Sequence, residues 1–171
     1  MMEHKAYLFD WTAFERDALH GLLQSALATG DTEGLAGYIG DHLEDLKNPY
    51  DAGPLDEYWE ELLEAKDAHE YGDFALTRFY DPAEDGGIGA EWMQVDGLLA
   101  APDDKAALLG TAFGKGETCF DPGRMGSYFQ TPAQVADSLR RVRQMGRPEL
   151  EEFAGLLAAA AAAGSGIYVT F

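Results

Sequence analysis

Residues 148–171, PELEEFAGLLAAAAAAGSGIYVTF, set the fold class of this 171-residue chain. Pro148 suits the first turn of a helix, and the alanine-rich run that follows continues that helix to Ala163. Two glycines then end it. Residues 167–171 are mostly β-branched or aromatic, which favours a strand. A helix followed directly by a strand predicts a mixed fold in which the strand belongs to a sheet.

Working back from this end, Thr131 and Pro132 form an N-cap and first-turn pair, with Val135, Leu139 and Val142 as the inner stripe of a helix. The other predicted elements are helices over 12–30, 31–48, 55–66, 91–99 and 103–109, strands over 6–9 and 73–80, and a mostly irregular segment over 110–126. We therefore predict an α+β fold: a helix-rich single domain over residues 1–171 with a small sheet that includes the C-terminal strand.

Residues 128–135, YFQTPAQV, place an aromatic pair before the Thr-Pro helix start. With the acid-opened helix from Pro148 and the final strand over 167–169, this order resembles the YfbM-like group of uncharacterised bacterial domains. The resemblance is confined to the rear third of the chain. It implies an α/β single domain of unknown activity, and it transfers no catalytic residue.

The negative charge lies in the front of the chain. Residues 1–104 hold 25 acidic and 5 basic side chains, whereas residues 105–171 hold 6 and 7. Such a surface repels phosphate and anionic lipid, so we expect neither a nucleic-acid nor a membrane partner, and the favoured partner is a basic protein. The longest nearly apolar run, residues 153–164, is shorter than the ~20 residues that span a bilayer. With a single cysteine as well, the chain is expected to be cytoplasmic.

The acidic side chains concentrate on the predicted helix over residues 55–66. Leu55, Tyr58, Trp59, Leu62 and Leu63 would face inward. The outer face would carry the candidate partner-binding residues Asp56, Glu57, Glu60, Glu61 and Glu64. The leading functional hypothesis is an inhibitory, immunity-type protein that covers a basic partner such as a bacterial toxin. A simpler reading is that these carboxylates only keep the protein in solution.

A second hypothesis rests on the loop over residues 110–132, which is rich in glycine, proline and aromatic residues. Arg124, Ser127 and Tyr128 are polar side chains of this loop. They are the candidate ligand-binding residues if the chain is a small-molecule-binding protein or an enzyme. The alternative is a connection that packs its aromatic rings into the core. A third hypothesis is an oligomerising accessory domain.

Motifs for established chemistries are incomplete in this sequence. Residues 110–118 lack the spacing and the Lys-Ser/Thr pair of a phosphate-binding loop. The four histidines do not have the spacing of metal ligands, and Cys119 has no partner for a disulfide. We therefore predict no catalytic residue, no metal site and no cofactor.

Overall fold

The computed structural model describes residues 2–171, which contain eight α-helices and a three-stranded antiparallel sheet. Helix accounts for 52% of the chain, and the predicted α+β fold class is confirmed. The strands are β1 (Lys5–Phe9), β2 (Ser127–Gln130) and β3 (Gly166–Thr170). Their order is β1-β3-β2, so the predicted C-terminal strand is the central one.

The α-helices take up most of the remaining chain, together with short 3-10 turns at Leu43–Asp45, Trp59–Leu62, Gly116–Thr118 and Pro148–Leu150. The helices are α1 (Trp11–Arg16), α2 (Ala18–Thr29), α3 (Glu33–Asp41), α4 (Ala68–Leu76), α5 (Trp92–Asp96), α6 (Pro102–Leu109), α7 (Pro132–Met145) and α8 (Glu151–Ala163).

The sheet separates two hydrophobic clusters, because successive strand residues face opposite sides. Tyr7, Phe9, Phe129 and Tyr168 point into the first cluster, which α1 to α4 cover. The opposite face, including Val169, packs against the second cluster, which α5 to α8 supply. Two layers of helices therefore enclose a narrow sheet, and the first layer brings α4 over the tyrosines of β1 and β3.

The predicted helix over residues 55–66 is wrong. Only Trp59–Leu62 forms a 3-10 turn, and the residues around it are irregular. Asp56 accepts a hydrogen bond from the backbone N–H of Tyr58 (2.8 Å), a local bond that competes with a helical turn. Repulsion among the acidic side chains adds to this. The buried residues Leu55, Trp59 and Leu63 keep the segment attached to the core.

The predicted strand over residues 73–80 is also wrong, because its first half belongs to α4. Asp67 caps this helix by accepting a hydrogen bond from Glu70 N–H (2.9 Å). Every residue from Tyr71 to Thr77 is buried. Because all sides of this part of the helix are buried, its sequence does not show the regular change between apolar and polar residues that marks a surface helix.

Other boundaries differ in detail. The helix predicted over residues 12–30 is capped by Asp10 and divided at Asp17, which caps α2 in turn. Thr131 and Pro132 begin α7 as predicted, with a complete capping box that includes Gln134. Within residues 2–171, no helix combines the length and the hydropathy that a membrane span requires.

Candidate functional site

Two adjoining cavities open on the sheet face that α4 covers. The outer chamber has a volume of about 620 Å³ and lies between residues 64–70 and residues 117–124. The inner chamber, about 130 Å³, lies deeper, where Asp73 of α4 meets Tyr7 of β1 and Tyr80. Tyr50 and Pro122 line both chambers, so the two are neighbours, and we call the pair the cleft.

The outer chamber is strongly acidic. Five carboxylates line it, and Arg124 is the only lysine or arginine that lines it among residues 2–171. The five are Glu64, Asp67, Glu70, Glu117 and Asp121. This excess of negative charge in a concave surface attracts cations and repels anions.

Three of these carboxylates also hold the walls of the chamber in place. Glu70 accepts hydrogen bonds from the backbone N–H groups of Glu64 and Lys66, both at 2.7 Å. Asp121 accepts one from Gly126 N–H (3.0 Å), and Asp67 is the α4 cap. The side chains of the remaining two, Glu64 and Glu117, take part in none of the hydrogen bonds or ion pairs found among residues 2–171.

His69 and Cys119 lie on the same wall. The His69 Nδ1 atom accepts a hydrogen bond from Asp121 N–H (3.0 Å), and its ring stacks on Phe120 with centroids 6.3 Å apart. A neutral His69 ring therefore carries its proton on Nε2. The half-buried Cys119 thiol donates to the carbonyl oxygen of Gly116 (3.2 Å).

Asp73 is the most unusual side chain of the cleft. It is 7% exposed, and within the described part of the chain its carboxyl group has no hydrogen-bond partner and no cation in ion-pair contact. Burial, with a smaller contribution from the nearby Glu70 carboxylate, raises the pKa of Asp73 to about 7. A carboxyl group with such a pKa can be charged or neutral near pH 7, so it can bind a cation or exchange a proton.

Tyrosine side chains surround Asp73. The ring centroids of Tyr7 and Tyr80 lie 4.9 Å apart, and those of Tyr80 and Tyr168 lie 5.2 Å apart. Burial raises the pKa of Tyr7 to about 12 and that of Tyr80 well above its usual value, and the charge of Asp73 contributes to both shifts. The Tyr168 hydroxyl lies 3.5 Å from Ser127 Oγ. The hydroxyl groups of Tyr7 and Tyr80 make no hydrogen bond to any other residue among residues 2–171.

The three ligand-binding residues predicted from the sequence lie in different places. Arg124 lines the outer chamber and has a positive φ of 59°. Ser127 is buried behind the inner chamber, where its hydroxyl also contacts Thr170 Oγ1 (3.2 Å). Tyr128 lies on the opposite face of the sheet and packs against the second cluster. Strand alternation in β2 therefore separates Tyr128 from the cleft.

The five acidic residues predicted to bind a partner are all exposed. None of them takes part in an ion pair among residues 2–171. Glu60 accepts a hydrogen bond from the Tyr71 hydroxyl (3.3 Å), and Glu64 reaches the outer chamber. Asp56 and Glu57 project from irregular backbone and Glu61 from the 3-10 turn, so the five do not share the face of one α-helix.

Sequence reasoning missed Asp73, Tyr7 and Tyr80. The available signal was a single acidic residue directly before the apolar run Phe74-Ala75-Leu76. Assigning this stretch to a strand placed Asp73 at the edge of an element and concealed its burial. The tyrosines gave no signal, because only the tertiary fold brings them to α4.

The cleft holds no cluster of three or more His, Cys, Asp or Glu side chains suited to a metal ion, and neither does the rest of residues 2–171. No family model matches this chain, and neither the curated proteins nor the solved structures contain a significant match. The resemblance to the YfbM-like group therefore stays a prediction.

Proposed function

We propose that this chain is an inhibitory, immunity-type protein that binds a basic protein partner through residues 55–64, which we call the docking segment. The observation that carries the proposal is that five exposed carboxylates lie close together in this segment and form no ion pair within residues 2–171. Carboxylates that are free in the unbound protein are available to lysine and arginine side chains of a partner.

Exposed apolar side chains support the same role. Tyr58 is 60% exposed and Leu62 is 52% exposed, although the helical pattern predicted both to face inward. An aromatic and an aliphatic side chain flanked by charged groups are the composition of a protein–protein contact, with an apolar centre and a polar rim.

The docking segment is also ordered before any partner arrives. Its buried residues Leu55, Trp59 and Leu63 alternate with the exposed ones and fix them to the first cluster. An ordered segment loses less conformational entropy on binding than a mobile one, so more of the contact energy contributes to affinity.

The test compares two double variants of equal charge. Glu57→Gln/Glu61→Gln removes two carboxylates from the docking segment, and Glu84→Gln/Glu91→Gln removes two exposed carboxylates elsewhere. Proteins from the native lysate are captured on each variant at low salt and at about 0.3 M salt, and the affinity of the purified partner is then measured. We expect the first variant to bind at least ~10-fold more weakly than the control, since each lost contact to a charged group is worth about 1.5–3 kcal/mol.

Two results would contradict the proposal. Equal losses in both variants would show that only the total charge matters, and binding that is unchanged by salt would show that charge does not drive it. A Tyr58→Ala variant separates the apolar contribution, because its effect should persist at high salt.

A further inference from the structure

We propose that the inner chamber binds the ammonium group of a linear alkyl diamine, with the Asp73 carboxylate as counter-ion and the Tyr7 and Tyr80 hydroxyl oxygens as further acceptors. Asp73 lies outside the docking segment, since it belongs to α4 and faces the sheet, and Glu64 is the residue that the docking segment and the outer chamber share.

The first step is that Asp73, Tyr7 and Tyr80 present unpaired polar atoms to the inner chamber. A carboxylate that is largely shielded from water is stabilised by a cation or a hydrogen-bond donor. Asp73 is more than nine-tenths buried and lacks such a partner among residues 2–171. Tyr7 and Tyr80 are also buried, and their hydroxyl groups make no hydrogen bond within residues 2–171.

The second step is that the partner is a cation with N–H donors. An ionised carboxylate only accepts hydrogen bonds, and a tyrosine hydroxyl also offers lone pairs, so a protonated amine satisfies all three groups at once. Rings of tyrosine near a cation add a favourable cation–π interaction. An anion would be repelled by Asp73 and by Glu70, which lies one helical turn away.

The third step concerns the length of the ligand. The inner chamber of about 130 Å³ has room for an ammonium group and a short stretch of alkyl chain, and a longer chain would have to pass Tyr50 and Pro122, which line both chambers, to reach the outer one. There, Glu64 and Glu117 are carboxylates without partners of their own within residues 2–171. A second ammonium group a few carbons from the first would lie among them.

The experiment uses calorimetric titration of the full chain with 1,5-diaminopentane. Glutarate and 1-pentanol are the negatively charged and uncharged comparisons of similar length. We expect the diamine to bind and the other two to give no heat of binding. Equal binding of glutarate or pentanol would overturn the proposal, because it would show a cleft without preference for positive charge.

Asp73→Asn is the central variant, and Asp41→Asn is its matched control on an exposed position of α3. Loss of the charge at Asp73 should weaken diamine binding by ~10-fold or more, and the control should change it less than ~2-fold. Asp73→Asn preserves the shape of the side chain, and its thermal midpoint shows that the variant is folded. Unchanged binding by folded Asp73→Asn would overturn the assignment.

Titration against pH gives a second readout. Binding should weaken as the pH falls from about 8 to about 6, because Asp73 with a pKa of about 7 then loses its charge. The other titratable or charged groups that line the inner chamber or act on Asp73 are Lys5, Tyr7, Tyr50, Tyr80, Tyr168 and Glu70. The Lys5 ammonium group also lines this chamber and competes with the diamine for Asp73. Lys5→Met removes this competitor, so the affinity for the diamine should stay equal or rise.

A lysine side chain has the same chemistry as the diamine and is tested separately with Nα-acetyl-lysine methylamide. If this compound binds more tightly than 1,5-diaminopentane in a way that depends on Asp73, the free diamine is overturned as the ligand and a lysine of a protein partner takes its place. Weaker binding of the lysine compound supports the diamine.

Discussion

Glu70 lies three residues before Asp73 on α4, and its carboxylate adds to the effect of burial in raising the pKa of Asp73 to about 7. Glu70 is itself fixed by the backbone N–H groups of Glu64 and Lys66. Glu70 therefore shapes the outer chamber and also contributes to the raised pKa of Asp73 in the inner chamber.

Replacement of Asp73 by asparagine should stabilise the protein at pH 8. The folded-state pKa of about 7 exceeds the unfolded value of 3.8, so the folded protein binds an additional proton between these values. The contribution of Asp73 to stability is therefore greatest below about pH 4 and is lost as the pH rises to about 7. We expect Asp73→Asn to unfold at higher urea concentration at pH 8, with a gain on the order of 1–4 kcal/mol, and to show little gain at pH 4. A loss of stability at pH 8 would contradict this, and Asp41→Asn is the control.

His4 should contribute the opposite pH dependence. Burial lowers the pKa of His4 below 6.5, so the unfolded chain binds a proton there that the folded protein does not. Stability from this group is present above pH 6.5 and decreases as the pH falls below it. His4 Nε2 contacts Leu108 O (2.7 Å), and Nδ1 accepts from Ile88 N–H (3.1 Å).

The variant His4→Phe separates these effects. It should lose about 1–3 kcal/mol at pH 8, because two buried backbone groups lose their partner. Between pH 7 and pH 5, the free energy of unfolding of His4→Phe should fall by less than that of the wild type, as measured by chemical denaturation. An unchanged slope over this range would exclude His4 as the titrating group.

Arg78 should be a main contributor to the stability of the first helical layer. Its Nη1 atom donates to Asp17 Oδ2 and to the Tyr38 hydroxyl, both at 2.7 Å, which connects the end of α4 with α2 and α3. We expect Arg78→Met to cost about 1–3 kcal/mol, since it leaves the half-buried Asp17 without its cation. A double-mutant cycle with Asp17→Asn measures the pair, and additive effects would show that the two do not interact.

Thr131 should stabilise α7 through its cap. The Thr131 hydroxyl accepts from Gln134 N–H (3.4 Å), and the Gln134 side chain accepts from Thr131 N–H (2.9 Å). Thr131→Ala should therefore lower the unfolding free energy by ~1 kcal/mol, measured by urea denaturation. Thr131→Ser keeps the hydroxyl and is the control. If both variants lose the same amount, the methyl group and not the cap carries the effect.

Local signals account for the parts of the fold that the sequence predicted. The start of α7 and the strand at residues 167–171 depend on neighbouring residues only, and both are present. For residues 55–66, the pattern placed five apolar side chains inward: Leu55, Tyr58, Trp59, Leu62 and Leu63. Leu55, Trp59 and Leu63, spaced four apart, are buried, whereas Tyr58 and Leu62 are exposed. The pattern could not show that the backbone between them makes local turns instead of a helix.

The candidate site required information that no local pattern contains. Asp73 is unusual only because Tyr7, Tyr80 and Tyr168 surround it, and these residues come from both ends and the middle of the chain. Arg124 was identified from the composition of its loop, and it does line the cleft. Ser127 and Tyr128 were grouped with it as neighbours in sequence, although successive residues of a strand face opposite sides of the sheet.

The position of β3 in the sheet has a consequence for how the protein is made. β3 pairs with both β1 and β2, and these two strands do not pair with each other. During synthesis, Lys5–Phe9 leaves the ribosome long before Gly166–Thr170, which is its partner strand in the sheet. The nascent chain must keep Tyr7 and Phe9 from aggregating throughout that interval, and the early accumulation of acidic residues provides repulsion between neighbouring nascent chains.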